Sequence, residues 1–338
     1  MKTRVVWVGP FRRHGYAHHW RGVRLGMEAI GEDENIDVEY LDFRELVGSN
    51  PYDNEYESDQ AAVARLRDCR PDVVIFGVQD AMTDAMLDAA KEIGAFTCLW
   101  FCDVRYPVER DLVDRLDFLV MTNQGFREMY SSTWGVDDIV WLPQGCIPMD
   151  APADPDPEFE TGIVHVGSWS HPDFHESRRQ VFEAIVKRYG ATSIRNRERS
   201  REEGLDGKIR ATFWNPTNDI ERAFVTRQLP VLYSSAKLAV GVSDPIPGYH
   251  SNRIFLATGM GSAFVCNHYQ GIEHLFEPGK EVIPVVGGPE DFLAAIDFYL
   301  ADDQARNRVR AAAFRRSQSD HNYLVRIREF WDMISRRR

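Results

Sequence analysis

The sequence has few cysteines and no long hydrophobic run, and both absences restrict the class of protein. Its 338 residues include five cysteines, an odd number with no C-x-x-C pair, so we expect neither a disulfide framework nor a zinc site. No apolar run approaches the ~20 residues that a transmembrane helix needs. The first residues, MKTRVVWVGP, lead directly into a strand-like run without the hydrophobic region of a signal peptide. We therefore expect a cytoplasmic protein without a membrane span.

Positive charge is also in deficit. The formal net charge is −12, which argues against broad, sequence-independent DNA binding, because that requires Lys and Arg along the phosphate track. The arginines of segment 195–210 alternate with acidic residues, so we interpret this segment as a solvated loop. Gly9 and Gly15 do not form a G-x-G-x-x-G fingerprint, which argues against a dinucleotide-dependent dehydrogenase.

Apolar runs typical of buried parallel strands alternate with helical segments along the chain. A first series starts at Thr3 and a second at Gly162. The predicted elements include a strand over residues 73–76, helices over 124–134 and 176–189, and a short helix over 229–235. Between them, the proline- and acid-rich residues 148–160 are interpreted as a linker. The predicted fold is therefore α/β, with two doubly wound, Rossmann-like domains (residues 1–147 and 161–318) and a C-terminal helix within 319–338.

Residues 250–286 combine short helix starts, glycine turns and buried strands. Ser251 is placed to cap a helix that carries Arg253, and Gly259 ends that helix. A buried strand follows, and Gly271 then opens a second short helix. Because free backbone N–H groups would collect at one end of a parallel sheet, we predict a site for an anionic ligand such as a diphosphate.

The same stretch resembles the C-terminal half of the GT-B glycosyltransferases, in particular their CgeB-like (spore-maturation-type) and phage-type members. The matching residues are Ser251-Asn252-Arg253-Ile254-Phe255, Gly259-Met260-Gly261, Gly271-Ile272-Glu273, Phe276 and Gly279-Lys280. A weaker match covers residues 101–103 and 124–148. There is one departure: Leu256 stands where many retaining members have a glutamate that is expected to hold the donor ribose. Retaining and inverting stereochemistry therefore both stay open.

The resemblance implies a fold and an activity. Two Rossmann-like domains would face a cleft, and the C-terminal helix would cross back to pack on the N-terminal, acceptor-binding domain. The C-terminal domain would bind a nucleotide sugar, UDP- or GDP-linked, whose sugar is transferred to a hydroxyl acceptor. The nucleotide sugar would be a co-substrate, and no metal or other cofactor is expected.

The resemblance and the strand ends also imply site residues. For the donor these are Gly167, Ser168, Trp169, Tyr249, His250, Ser251, Asn252, Arg253, Gly271, Ile272 and Glu273. For the acceptor base they are Asp103, after a buried strand, and His14, in a loop. Several of them have a structural alternative, namely Arg253 as a surface arginine, Glu273 as a first-turn glutamate favoured by the helix dipole, and Asp103 as a turn cap.

Two further hypotheses stay open. The acceptor could be a hydroxymethylated base in DNA, as in the phage-type relatives, which would require a basic groove and base flipping. Alternatively, the chain could be a non-catalytic, two-lobed ligand-binding protein. Turnover of nucleotide sugars separates an enzyme from such a protein.

Overall fold

The structure is a computed structural model that describes residues 2–9, 17–43, 59–101, 110–136, 138–167, 176–193, 211–214, 219–243 and 248–338. The chain divides into two units. The first comprises Met1–Gln144 together with Tyr323–Arg338, and the second comprises Gly145–Asn322.

The first unit contains a six-stranded parallel sheet with the strand order β2-β1-β3-β4-β5-β6. The strands are β1 (Thr3–Gly9), β2 (Ile36–Asp42), β3 (Val73–Phe76), β4 (Phe96–Phe101), β5 (Phe118–Met121) and β6 (Ile139–Trp141). The helices between them are α1 (Ala17–Asp33), α2 (Gln60–Cys69), α3 (Asp84–Glu92), α4 (Arg110–Val113) and α5 (Gln124–Trp134). The central strands β3, β4 and β5 are almost entirely buried, as expected for a parallel sheet that is covered on both faces, whereas the edge strands β2 and β6 are only partly buried.

The second unit contains another six-stranded parallel sheet, in the order β12-β11-β10-β7-β9-β8. Its strands are β7 (Thr161–Val166), β8 (Ala191–Ser193), β9 (Ala211–Trp214), β10 (Ala236–Gly241), β11 (Ala263–Asn267) and β12 (Ile283–Val285). Its helices are α6 (Glu176–Tyr189), α7 (Asp219–Ser235), α8 (Arg253–Gly259), α9 (Pro289–Ala301) and α10 (Asp303–Asp320). The prediction of two doubly wound sheets is thus confirmed.

The last helix, α11 (Tyr323–Arg337), belongs to the first unit and packs on α1. A Cβ added to Gly22 would collide with the Tyr323 ring, and one added to Gly26 would lie 2.5 Å from Ile327 Cγ1. A hydrogen bond of 2.6 Å joins His19 Nδ1 to the Tyr323 hydroxyl. Side chains of α11 therefore lie directly against the backbone of α1 at its two glycines. This confirms that the C-terminal helix packs on the N-terminal unit.

Segment 148–160, which we interpreted as a linker, is hydrogen-bonded within the second unit. The backbone N–H of Met149 donates to Gln318 Oε1 (2.9 Å), and that of Asp156 donates to Ser235 Oγ (2.9 Å). The Asp156 carboxylate in turn accepts from the N–H of Glu158 and caps a single 3₁₀ turn. The segment follows a specific path along this unit, although its composition is that of a loop.

Two local predictions were wrong. We predicted that the helix before β10 starts at Leu229, but α7 begins ten residues earlier and contains Pro230 in its interior. The segment opened by Gly271 is a single 3₁₀ turn, Ile272–His274, and not a helix. Such a turn aligns few peptide dipoles, so it contributes little to binding an anion.

Candidate functional site

Strands β7 and β10 are neighbours, but their pairing stops before their carboxyl ends. The last paired residues are Val164 and Ala239, whereas the strands continue to Val166 and Gly241. The strand order also reverses direction between β7 and β10. In open α/β sheets, ligands bind in the crevice outside the carboxyl ends of the strands at such a switch point. This opening, which we call the β7–β10 crevice, is therefore the candidate ligand site of the second unit.

Two side chains donate hydrogen bonds to backbone carbonyls at the strand ends where β7 and β10 are no longer paired. His165 Nδ1 donates to the carbonyl of Val240 (2.8 Å), and Arg253 Nε donates to the carbonyl of Val166 (2.8 Å). Burial, reinforced by the positive charge of Arg253, holds the pKa of His165 well below its usual value. The imidazole is therefore neutral and serves as a fixed hydrogen-bond donor between the strands.

Glycines at the ends of β7 and β10 leave a channel for the Arg253 side chain. A Cβ on Gly241 would lie 3.3 Å from Arg253 Cδ, and a Cβ on Gly167 would lie 2.8 Å from Arg253 Nη2. Gly167 also has φ +121°, a backbone conformation that other residues rarely adopt. The backbone of both strands thus determines where the guanidinium lies.

The two Nη groups of the Arg253 guanidinium remain available as hydrogen-bond donors to a ligand. Its Nε is bound to Val166, while no carboxylate among the described residues forms an ion pair with it. The residue is half-buried, so leaving its charge uncompensated costs free energy. The two Nη groups form a planar fork that matches a phosphate or carboxylate. The crevice therefore suits an anionic ligand.

Hydrogen bonds tie the start of α8 to the ends of β10 and β11. As predicted, the Ser251 hydroxyl accepts from a backbone N–H of the helix, that of Arg253, at 3.4 Å. The N–H of Ser251 donates to Ser243 Oγ (3.3 Å), and the N–H of Ser243 donates to Asn267 Oδ1 (2.8 Å). This chain of contacts fixes Arg253 relative to the crevice. Asn252 is the half-buried residue that immediately precedes α8.

The second predicted anion contact, at Gly271, is built differently. Gly271 adopts φ +96°, Ile272 is fully buried, and Glu273 is exposed. Glu273 Oε1 lies 3.2 Å from His268 Nε2. The pKa of Glu273 is lowered, first by a hydrogen bond from its own backbone N–H and then by His268. The Glu273 carboxylate therefore contacts its own turn and His268, and its side chain stays open to solvent.

Aromatic packing joins this turn to the residues before α8. The buried His250 ring contacts Phe255 edge-on at 5.5 Å and stacks on Tyr269 at 6.4 Å between centroids. Tyr249 is half-buried, as is Leu256, which lies one turn after Arg253 on α8. The donor-site residues predicted in segment 249–273 thus lie along one connected stretch at the carboxyl side of β10 and β11.

Some predicted residues fall outside the described residues, namely His14, Asp103, Ser168 and Trp169. Conversely, the sequence did not point to His165 or Gly241. The only signal for His165 is a polar residue inside an apolar strand. Gly241 gives no signal until β7 and β10 are known to be neighbours.

Two searches of the described part of the chain gave negative findings. Across residues 2–9, 17–43 and the later described ranges, no group of three His, Cys, Asp or Glu side chains could hold a metal ion. Within these same ranges, no helix has the length and apolar character needed to cross a membrane.

Comparison with known proteins gives a family match and a fold. Residues 190–332 match a family described as glycosyl transferase-like. No curated protein matches the chain. Anabaena HepE in complex with UDP-glucose is similar in structure, with a TM-score of 0.65 and 11% identity over 98% of this chain and 99% of HepE.

Two other solved structures are similar over the whole chain. A glycosyltransferase from Rickettsia africae has a TM-score of 0.63 and 13% identity, over 99% of this chain and 98% of its own. An α-glucosyltransferase in complex with UDP and a 13-mer DNA containing an HMU base has a TM-score of 0.60 and 10% identity, over 99% and 100%. The chain therefore has the GT-B fold of glycosyltransferases, and its residues 190–332 match a glycosyl transferase-like family.

Proposed function

We propose that the protein is a glycosyltransferase that uses a nucleoside diphosphate sugar as donor, and that the β7–β10 crevice binds the donor diphosphate. The observation that carries the proposal is Arg253. Its guanidinium is half-buried, without a carboxylate partner among the described residues, and held by the Val166 carbonyl between two glycines. A folded protein tolerates such a charge at a switch point when a bound anion compensates it.

Arg253 would also serve the reaction. When the bond between the sugar and the diphosphate breaks, negative charge develops on the leaving phosphate oxygens. A preorganised guanidinium at that position stabilises the transition state without reorganisation of solvent. Because HepE is similar over its whole length and binds UDP-glucose, a UDP-sugar is the first donor to test. GDP-linked sugars are the alternative.

The acceptor is proposed to be a hydroxyl group. On sequence grounds, Asp103 and His14 remain the proposed bases that would take its proton. In keeping with the family resemblance, Glu273 and the backbone around Gly167 and Gly271 are proposed donor contacts. The nucleotide sugar is the proposed co-substrate, with no metal or other cofactor.

A second candidate acceptor is a hydroxymethylated base in DNA, with the chain as a CgeB-like or phage-type member of its family. It is supported by the similarity to the α-glucosyltransferase bound to HMU-containing DNA. Arg12, Arg13 and the arginine-rich segment 195–210, which would contribute to the basic groove that DNA requires, lie outside the described residues. Transfer of labelled sugar to a duplex containing hydroxymethylated bases, but not to the unmodified duplex, is the expected result for this acceptor.

A thermal-shift panel of UDP, GDP, ADP, TDP and CMP tests the proposal. A nucleotide at 100 times its Kd stabilises the native state by about 2.7 kcal/mol, so we expect a clear rise in Tm with UDP or GDP. The absence of a shift with every nucleotide would contradict the proposal. Release of UDP from UDP-glucose then distinguishes an enzyme from a binding protein, which would bind free sugar tightly without turnover.

A further inference from the structure

Pairing at the carboxyl ends of β7 and β10 is interrupted only on the sides that face each other. β7 stays paired with β9 as far as Val166, and β10 stays paired with β11 as far as Gly241. Between β7 and β10 themselves, pairing ends two residues earlier, at Val164 and Ala239. Both strands therefore stay extended while a gap opens between them, and other groups have to satisfy the carbonyls that face this gap.

The register of the two strands identifies these carbonyls. A continued parallel ladder would join the N–H of Val166 to the carbonyl of Val240, and the N–H of Val242 to the carbonyl of Val166. Instead, the Val240 carbonyl accepts from His165 Nδ1 at 2.8 Å. The Val166 carbonyl accepts from Arg253 Nε, also at 2.8 Å. Two side chains thus replace two consecutive hydrogen bonds of the ladder.

The His165 imidazole keeps the gap open. Backbone pairing brings parallel strands to about 4.8 Å from each other. The imidazole reaches the Val240 carbonyl from the side, so this carbonyl is satisfied without such an approach, and the ring is packed on Phe182 of α6 with centroids 4.4 Å apart. Without a donor at this place, the buried carbonyl would lose its partner at a cost in free energy. Closing the ladder would restore its hydrogen bond.

Arg253 depends on the same gap. Its stem passes the end of β10, where a Cβ on Gly241 would lie 3.3 Å from Arg253 Cδ. If the ladder closed, the N–H of Val242 would bond to the Val166 carbonyl in place of Arg253 Nε. The guanidinium would then lose the contact that sets its position.

We propose that His165 is a positioning residue of the donor site and acts through Arg253. By satisfying the Val240 carbonyl, it prevents β7 and β10 from pairing further and leaves the Val166 carbonyl to hold the guanidinium. The inference rests on the proposed function, because it concerns the affinity of the β7–β10 crevice for the donor. Affinity should then require a hydrogen-bond donor at the place of Nδ1, whether or not an imidazole supplies it.

The test compares three substitutions of His165 by calorimetric titration with UDP and with inorganic pyrophosphate. The amide nitrogen of Asn can take the place of Nδ1, that of Gln lies one bond further out, and Leu has no donor. We expect the Kd of UDP to rise about tenfold in His165→Leu and His165→Gln, and to stay within about threefold of the wild-type value in His165→Asn. Ile185→Ala, in the apolar core on α6, is the matched control, which should lose stability in urea and keep its affinity.

A double-mutant cycle separates positioning from a general loss of structure. Adding His165→Leu to Arg253→Gln should change the Kd of UDP by less than about twofold, although it still lowers the free energy of unfolding. A further tenfold loss in that background would overturn the inference, as would wild-type affinity in a folded His165→Leu variant. If the Leu variant fails to fold, His165→Asn and His165→Gln decide, and equal affinities of these two overturn the inference.

The two probes distinguish failure of the inference from failure of the proposed function. If the wild-type protein binds pyrophosphate but no nucleotide, the proposed function fails, and the same comparison of variants made with pyrophosphate still tests His165. Binding of neither probe by the wild-type protein contradicts both.

Discussion

The contact between Gly167 and Arg253 gives the sharpest structural prediction. In Gly167→Ala, the new Cβ would lie 2.8 Å from Arg253 Nη2, which is closer than carbon and nitrogen approach without a shift. Gly167 directly follows β7, whose last residue, Val166, pairs with Trp214 of β9. Because this pairing holds the backbone, the guanidinium has to shift from its position. The substitution therefore displaces the Arg253 guanidinium, the proposed contact to the diphosphate, while leaving the arginine in the chain.

The expected magnitude has two parts. A non-glycine residue at φ +121° destabilises the fold by about 1–3 kcal/mol. Loss of a charge-assisted hydrogen bond costs about 1.5–3 kcal/mol of binding free energy, which corresponds to about a 10- to 100-fold rise in the Kd of UDP. If the loss of affinity acts through Arg253, adding Gly167→Ala to Arg253→Gln leaves the Kd for UDP almost unchanged from that of Arg253→Gln alone.

The assay is calorimetric titration with UDP together with urea denaturation. Gly190→Ala is the matched control, because Gly190 also has positive φ (+73°) but no atom within 4 Å of its added Cβ. It should lose stability through backbone strain and keep its UDP affinity. Wild-type affinity in Gly167→Ala, or equal loss of affinity in both variants, would refute the link between Gly167 and the position of Arg253.

Three further predictions concern the rest of the chain. Burial lowers the pKa of His19 in the folded protein to about 3. As the pH falls below about 6.5, this imidazole is therefore protonated in the unfolded state but not in the folded state. Protonation of the unfolded state lowers the free energy of unfolding relative to its value at pH 7. The free energy of unfolding should decrease by up to ~1.4 kcal/mol per pH unit between pH 6.5 and 5, with a smaller slope in His19→Gln; a rise in stability on acidification would contradict this. Gln318→Ala removes contacts with Met149, Ile147 and Gly259 and should cost about 1–3 kcal/mol in urea denaturation, whereas the exposed Ser319→Ala should cost little; equal effects would refute it. Asp103→Asn should lower kcat about 100-fold at unchanged UDP affinity, and full activity would remove Asp103 as the base.

The strands and most helices could be predicted from the sequence because their signal is local. Buried parallel strands are continuous apolar runs, and β3 occupies the predicted residues Val73–Phe76. Helices α5 and α6 likewise have the predicted bounds. The helix predicted over residues 229–235 was too short, because α7 already begins at Asp219 and contains Pro230 in its interior, where proline normally breaks a helix.

The site was only partly predictable because its key contacts join distant parts of the chain. A motif identified Arg253, and strand ends identified Gly167. The roles of His165 and Gly241 depend on β7 lying next to β10 and on their pairing stopping early. Neither fact is visible in a local pattern. The predicted helix at Gly271 failed because a glycine at positive φ opens a 3₁₀ turn as readily as a helix.

The most direct test of the central claim is the affinity for UDP of Arg253→Gln, measured by calorimetry against the wild-type protein and Arg308→Gln. Arg308 is an exposed arginine on α10 and controls for the loss of one positive charge. The account predicts that the Kd rises about 10- to 100-fold in Arg253→Gln and stays within twofold in Arg308→Gln. Binding of UDP by a folded Arg253→Gln variant with wild-type affinity would contradict it.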